Sequence, residues 1–370
     1  MQTTHRVSKI TLIGLSIISI FLFLLAYHSH ELVRQPWHAE KLKAARLNLV
    51  AQNAIKTRAV EKGLVIDAVN DPNLTGLIGQ EYTDITTDRG VLKAKLTATN
   101  PNFAAVVVDM LKQAGLNKGD VVAVGFTGSM PAMNVAVLAA LEALDLKPMM
   151  IASVGASTWG ATNPDFNWLD IESYLFEKKI FHFQSIAASI GGGRDEGRGL
   201  SSLARQLIED SIRRSGVILI HENSLEESIQ KRLELYDHYA KTRSIKAYIN
   251  VGGGLASLGA AINGRLIPPG LSKNLAMKNL PVKGVVVEMA ERGIPVIHLL
   301  NIERLARAYG LPIAPQPLPE IGEGRVFFEE RHHVMIAVLC TLILIGSITV
   351  FVRLDLFHRL FIRRVTRPAL

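Results

Sequence analysis

The chain has 370 residues, 48% of them hydrophobic, with a formal net charge of +8 and a single cysteine. That length allows one large domain or two ordinary ones. One cysteine excludes a disulfide framework, and most of the excess charge sits in two short tails, so the basic balance gives no reason to infer nucleic-acid binding.

Residues 10–27, ITLIGLSIISIFLFLLAY, carry no charge, and neither do residues 334–352, VMIAVLCTLILIGSITVFV. Each is long enough to cross a bilayer as a helix, which takes roughly 17–25 residues. The first follows a basic start, as a signal peptide would, but HSHELVRQPW behind it offers no small-x-small cleavage site, which favours a retained anchor. Lysine and arginine collect on the cytoplasmic side of a membrane. Residues 1–9 hold Arg6 and Lys9 without an acid, and residues 353–370 hold Arg353, Arg359, Arg363, Arg364 and Arg367 against Asp355. Both termini are therefore expected in the cytoplasm, with the middle, 28–333, outside it. Removing these seven basic residues and one acid from totals of 41 and 33 leaves 34 against 32 in the middle. The only cysteine, Cys340, falls in the second apolar segment.

Residues 36–61 carry Ala44, Leu47, Ala51 and Ala54 at helical spacing, which predicts an amphipathic helix leading off the membrane. Residues 77–103 are rich in Thr, Asn and Gly and predict loops with short extended pieces. From 102 onward, strands alternate with helices. Strands are expected at 121–126, 148–154, 181–189, 216–223, 246–254 and 294–300. Helices are expected at 102–115, 130–144, 169–178, 199–214, 224–242 and 281–292, and from about 302. Continuous apolar strands separated by helices imply an α/β fold with a mostly parallel, doubly wound, Rossmann-like sheet, flanked here by the two membrane segments. The implied order is a tail (1–9), a membrane helix (10–27), a lead-in (28–101) and the α/β domain (102–310). A Pro-rich spacer (311–333), a second membrane helix (334–352) and a basic tail (353–370) complete it.

Ligands of an open parallel sheet bind beyond the carboxyl ends of its strands. The candidate ligand-binding residues there are Thr127, Gly128 and Ser129; Ser157 and Thr158; Asn223; Asn250; and Gly252, Gly253 and Gly254. His298 lies near a further strand end. Ser129 admits three readings. It caps the following helix, it holds a ligand, or it is a nucleophile with His221 as base and Glu222, Asp165 or Asp170 orienting that base. The elbow pattern G-x-S-x-G is not met, because Thr127 and Pro131 occupy the glycine positions. NVGGGLASLG (250–259) opens on glycines like a phosphate-binding turn, but Ser257 replaces the third glycine of G-x-G-x-x-G and no acid follows to grip a ribose. The turn is then either a packing device or a carboxylate cradle of N–H groups. GGGRDEGRGL (191–200) offers Arg194 and Arg198, whose forks suit planar carboxylates, against the alternative of a solvated loop. No histidine or acidic spacing matches a metal site, and no cofactor is expected.

Five segments, ITTDRGVLKAKLTATNPNFAA, GFTGSMPAMNVAVLAALEAL, GASTWGATNPDFNWLDIE, GGGRDEGRGL and INVGGGLASLG, taken together and in order, resemble the poly-γ-glutamate system proteins. The resemblance spans about 77–310. It implies an accessory membrane component of the bacterial machinery that makes and exports poly-γ-glutamate, binding or guiding the polymer and docking on the synthase membrane subunits. It brings no catalytic residues. The P-loop GxxxxGK[ST] does not occur, so the ligase step is expected of another subunit. The alternatives are a serine-dependent γ-glutamyl amidohydrolase or transferase that trims or releases the polymer, and a purely structural subunit of the synthase complex.

Overall fold

A computed structural model describes residues 9–275, 280 and 282–354. The ends of both predicted tails, and part of the segment 276–281, lie outside these residues. The chain divides into two compact units, one spanning Gln35–Phe327 and the other formed by the segments on either side of it.

The Gln35–Phe327 unit is built on a seven-stranded sheet. Its order across the sheet is Ile218–Ile220, Ala187–Ser189, Lys147–Ser153, Val121–Thr127, Ile245–Val251, Val296–Leu299 and Gly270–Ser272. Every neighbouring pair is parallel except the last, where Gly270–Ser272 runs antiparallel to Val296–Leu299. Val121–Thr127 is buried at all seven positions, as a central strand covered on both faces must be. From that strand the chain adds three strands on one side, then returns to lay Ile245–Val251 on the other. The loops that follow Thr127 and Val251 therefore part in opposite directions and leave a crevice at the carboxyl edge.

Helix Pro131–Ala143 is buried along its whole length except at Glu142. A helix that is apolar all round needs cover on every side. Helix His38–Glu61 supplies it, packing on both Pro131–Ala143 and Phe103–Gln113 through Ala44, Ala45, Ala51 and Ile55. Lys41 of that helix is buried too, paired with Asp109 at 2.6 Å and donating to Val326 O at 3.0 Å. The expected lead-in is thus a layer of the unit, because its small residues let it lie close to an apolar neighbour. The Pro-rich segment is also part of the unit up to Phe327. Its backbone is tied to side chains of the body. Ala314 N donates to Thr97 Oγ1, Asn73 Nδ2 to Pro315 O, and Asn102 bonds both Glu320 O and Gly322 N. Residues 77–103 hold a short strand, Thr86–Asp88, paired in parallel with Ala156–Ser157, and a helix, Leu92–Ala98, which the loop-rich composition did not predict.

In the other unit, helices Lys9–His28 and Val334–Leu354 pack against each other. Strand His30–Arg34 pairs antiparallel with Phe328–His332, and the His30 and His332 rings lie 4.6 Å apart. Both helices are long and apolar enough to cross a membrane, with mean hydropathies of 2.5 and 2.7.

Candidate functional site

A cavity of about 580 Å³ opens at the carboxyl edge of the sheet, where the strand order reverses. Ser129 and Ser153 reach it from the strands Val121–Thr127 and Lys147–Ser153, and Ser157 from the short strand Ala156–Ser157. The turn Gly252–Gly254 closes one side. The segment 87–91 with Lys95 closes another, and Arg198 of the glycine-arginine loop stands exposed at the rim.

Ser129 does not cap the helix behind it. The cap position is Met130, without a side-chain bond, and Pro131 and Asn134 start the helix instead, Asn134 Nδ2 donating to Thr127 O at 2.9 Å. The Ser129 hydroxyl oxygen accepts the backbone N–H of Ser157 at 2.9 Å and so ties the first strand end to the second. Lys95, only 4% exposed, reaches the same junction from helix Leu92–Ala98. Its ammonium donates to the carbonyls of Ser129 and Ser157 and lies 3.0 Å from Ser157 Oγ. No carboxylate lies within 4.0 Å of it among the described residues. Burial without a counter-charge lowers the lysine pKa to about 7.

Beneath the cavity lies a second polar cluster. Asp195 accepts from Ser153 Oγ at 3.0 Å, Ser189 Oγ at 2.8 Å and Ser228 Oγ at 2.6 Å, and pairs with Arg232 at 2.9 Å. Arg232 also donates to Ser153 Oγ and Ser189 Oγ. The acid of the GGGRDEGRGL loop is therefore a buried anchor that folds the loop inward, while Arg194 points its backbone left-handed (φ 56°) at an exposed turn outside the cavity.

Of the residues singled out from sequence, Thr127, Ser129, Ser157, Arg198, Gly252, Gly253 and Gly254 line the cavity. Gly128, Thr158, Arg194, Asn223 and Asn250 do not. At Gly128 a Cβ would lie 2.2 Å from Val154 O, so its small size serves packing. Thr158 Oγ1 accepts from Gly90 N at 2.7 Å and holds the 88–91 turn in place. Asn223 is exposed and its N–H donates to Glu227. Asn250 is buried and donates to Gly252 O and to His298 Nδ1, both at 2.9 Å. It thereby shapes the glycine turn from behind. His298 faces a neighbouring cavity of about 570 Å³, and burial lowers its pKa to about 4, so it is neutral.

The expected triad of Ser129, His221 and Glu222 is not assembled. His221 follows the edge strand Ile218–Ile220, three strand spacings from Val121–Thr127, or roughly 14 Å. It is 58% exposed with its ring 3.3 Å from Glu209, and neither it nor Glu222 lines the cavity. Asp170 is occupied in the capping box of helix Trp168–Glu177, where it accepts Asn167 N–H at 3.0 Å. Asp165 is exposed and also lies outside the cavity lining. Sequence reasoning passed over Lys95, Arg89 and Ser153. Lys95 stands out only once the helix Leu92–Ala98 is known. Lys93 and Lys95 stand two apart on a helix and so cannot share a face, and Lys93 takes the exposed one, 3.4 Å from Glu303.

No protein-family model, no curated protein and no solved structure matches the chain.

Proposed function

We propose that this protein is an inner-membrane component of poly-γ-glutamate synthesis and export, and that its Gln35–Phe327 unit binds the polymer outside the cytoplasmic membrane. The two terminal helices anchor it with both tails in the cytoplasm, beside the synthase membrane subunits. We read the sheet as Rossmann-like, with its crevice adapted to carboxylates rather than to a dinucleotide.

The carrying observation is the convergence of donors on one cavity. Arg89 and Arg198 stand at its rim, with the hydroxyls of Thr127, Ser129, Ser153 and Ser157 along its wall. The N–H groups of Ser129, Gly253 and Gly254 face no hydrogen-bond acceptor among the described residues. Poly-γ-glutamate presents one α-carboxylate per residue on an amide backbone. Arginine forks and free N–H groups complement the carboxylates, and hydroxyls serve the amides.

Titrating poly-γ-glutamate into the full-length protein in nanodiscs tests this. Binding that weakens with salt is expected, since the donors are partly exposed charges. Arg198→Ala and Arg89→Ala should each weaken it several-fold, while Arg194→Ala, outside the cavity, leaves it unchanged. Salt-insensitive or undetectable binding, or equal loss in Arg194→Ala, refutes the reading and leaves a structural subunit.

A further inference from the structure

We propose that Ser157 is a nucleophile with Lys95 as its general base, and that the cavity cleaves or transfers acyl groups at amide bonds.

The geometry around Lys95 carries this. Its Nζ has three oxygen neighbours: the carbonyls of Ser129 and Ser157, and the Ser157 hydroxyl at 3.0 Å. The carbonyls can only accept. A neutral amine has two N–H bonds and one lone pair. Directing the two N–H bonds at the two carbonyls leaves the lone pair for the hydroxyl, which is the arrangement that removes its proton. The site favours the neutral amine, because a buried ammonium without a carboxylate partner is costly. Lys95 is 4% exposed and sits where charge is penalised, titrating near 7.

Ser157 meets the other requirements. It is partly exposed to the cavity, whereas Lys95 behind it is buried. Its backbone is fixed by the Ser129 hydroxyl at 2.9 Å, which makes Ser129 a positioning residue rather than the nucleophile. Position 90 is a glycine. A Cβ there would stand 2.8 Å from Lys95 Cε and 3.0 Å from Ser157 Oγ, so its absence keeps the pair open. The N–H groups of Ser129, Gly253 and Gly254, on the same cavity and without acceptors among the described residues, are the donors available to a carbonyl oxygen as it gains charge.

The step balances without a co-reactant other than water or an amine. Ser157 Oγ–H gives its proton to Lys95 Nζ while Oγ bonds to the amide carbon. The C–N bond then breaks, and the Lys95 ammonium returns the proton to the departing nitrogen, leaving an ester on Ser157. Water, or the amino end of another chain, attacks that ester, and its proton passes through Lys95 back to Ser157 Oγ. The choice of substrate, an amide with a carboxylate beside it, rests on the polymer-binding reading above; the nucleophile does not.

The test uses the full-length protein in nanodiscs, a fluorophosphonate probe for activated serines, and peptide mapping of the adduct. The expected adduct is on Ser157, with a labelling rate that rises with pH through about 7 and then levels, as the lysine loses its proton. Lys95→Met should slow labelling by about 100-fold or more, the usual contribution of a general base. Ser157→Ala, a small change that preserves the fold, should abolish it. His221→Ala should label normally. No Ser157 adduct at any pH, or equal rates in Lys95→Met and the parent, overturns the proposal. If polymer binds and no adduct forms, the binding reading stands and this one fails. If the adduct forms and poly-γ-glutamate yields no new amino ends, the nucleophile stands and the polymer is not its substrate.

Discussion

Replacing Asp195 by Asn removes one charge from a buried cluster while keeping its shape. The residue sits at φ 66°, a left-handed conformation that Asn tolerates well, so the change isolates the charge. The carboxylate now receives four donors, from Ser153, Ser189, Ser228 and Arg232. An amide offers one acceptor oxygen and two N–H bonds, so Ser228 and Arg232 can share the oxygen only if the Ser153 and Ser189 hydroxyls turn round to accept. Arg232, whose side chain is 2% exposed, would keep its charge without a counter-ion. Breaking a buried ion pair in this way costs about 3–5 kcal/mol. In a domain of this size that lowers the melting temperature by roughly 5–15 °C. The assay is a thermal melt of the full-length protein in detergent, followed through Trp159 and Trp168 in the same unit. The double variant Asp195→Asn/Arg232→Met should recover part of the loss, because it removes the orphaned charge. A single variant within about 2 °C of the parent, or a double variant worse than the two losses added, would refute the reasoning.

Three further outcomes are expected. Glu172 is buried and accepts Ser185 N–H and Ser185 O–H at 2.8 and 2.9 Å, yet desolvation raises its pKa to about 7. The folded state therefore holds this proton more tightly than the unfolded chain, and stability falls as pH rises from about 4.5 to 7, by about 3 kcal/mol. Glu172→Gln, which keeps both bonds, should flatten that part of the profile in denaturant titrations between pH 5 and 8; an unchanged slope sinks the assignment. Lys95 acts in a separate window, since its lowered pKa makes stability rise with pH above about 7. Gly90→Ala forces a methyl against Lys95, Ser157 and Thr158 O, costing about 1–3 kcal/mol as overpacking. It should also cut serine-probe labelling more than tenfold, and unchanged labelling would show that the pair is not confined as described. Asn102→Ala releases Glu320 O and Gly322 N, so limited proteolysis should cut within 311–327 earlier than in the parent while the sheet region persists. Identical digestion patterns would mean that other contacts hold the segment.

Six of the seven strands were legible as apolar runs, as strands buried on both faces tend to be, whereas Gly270–Ser272, a three-residue antiparallel edge strand with one apolar side chain, was not expected. Thr127, Ser157 and Gly252–Gly254 were legible as small residues at carboxyl ends. Lys95 was not, because its short helix hides in a Thr- and Gly-rich stretch and owes its place to packing rather than to propensity. Arg232 was obscured by its charged helix, although Ser228, Arg232 and Tyr236 stand four apart on the buried face. His221 misled because sequence gives the order of strands along the chain and not across the sheet.

The Gln35–Phe327 unit begins and ends at one place: Gln35 N–H donates to Phe327 O at 2.9 Å. In mechanical terms the unit is a closed loop whose two ends are clasped together, by this bond and by Lys41 on Val326 O. Tension on its two ends opens that clasp before it reaches any strand of the sheet.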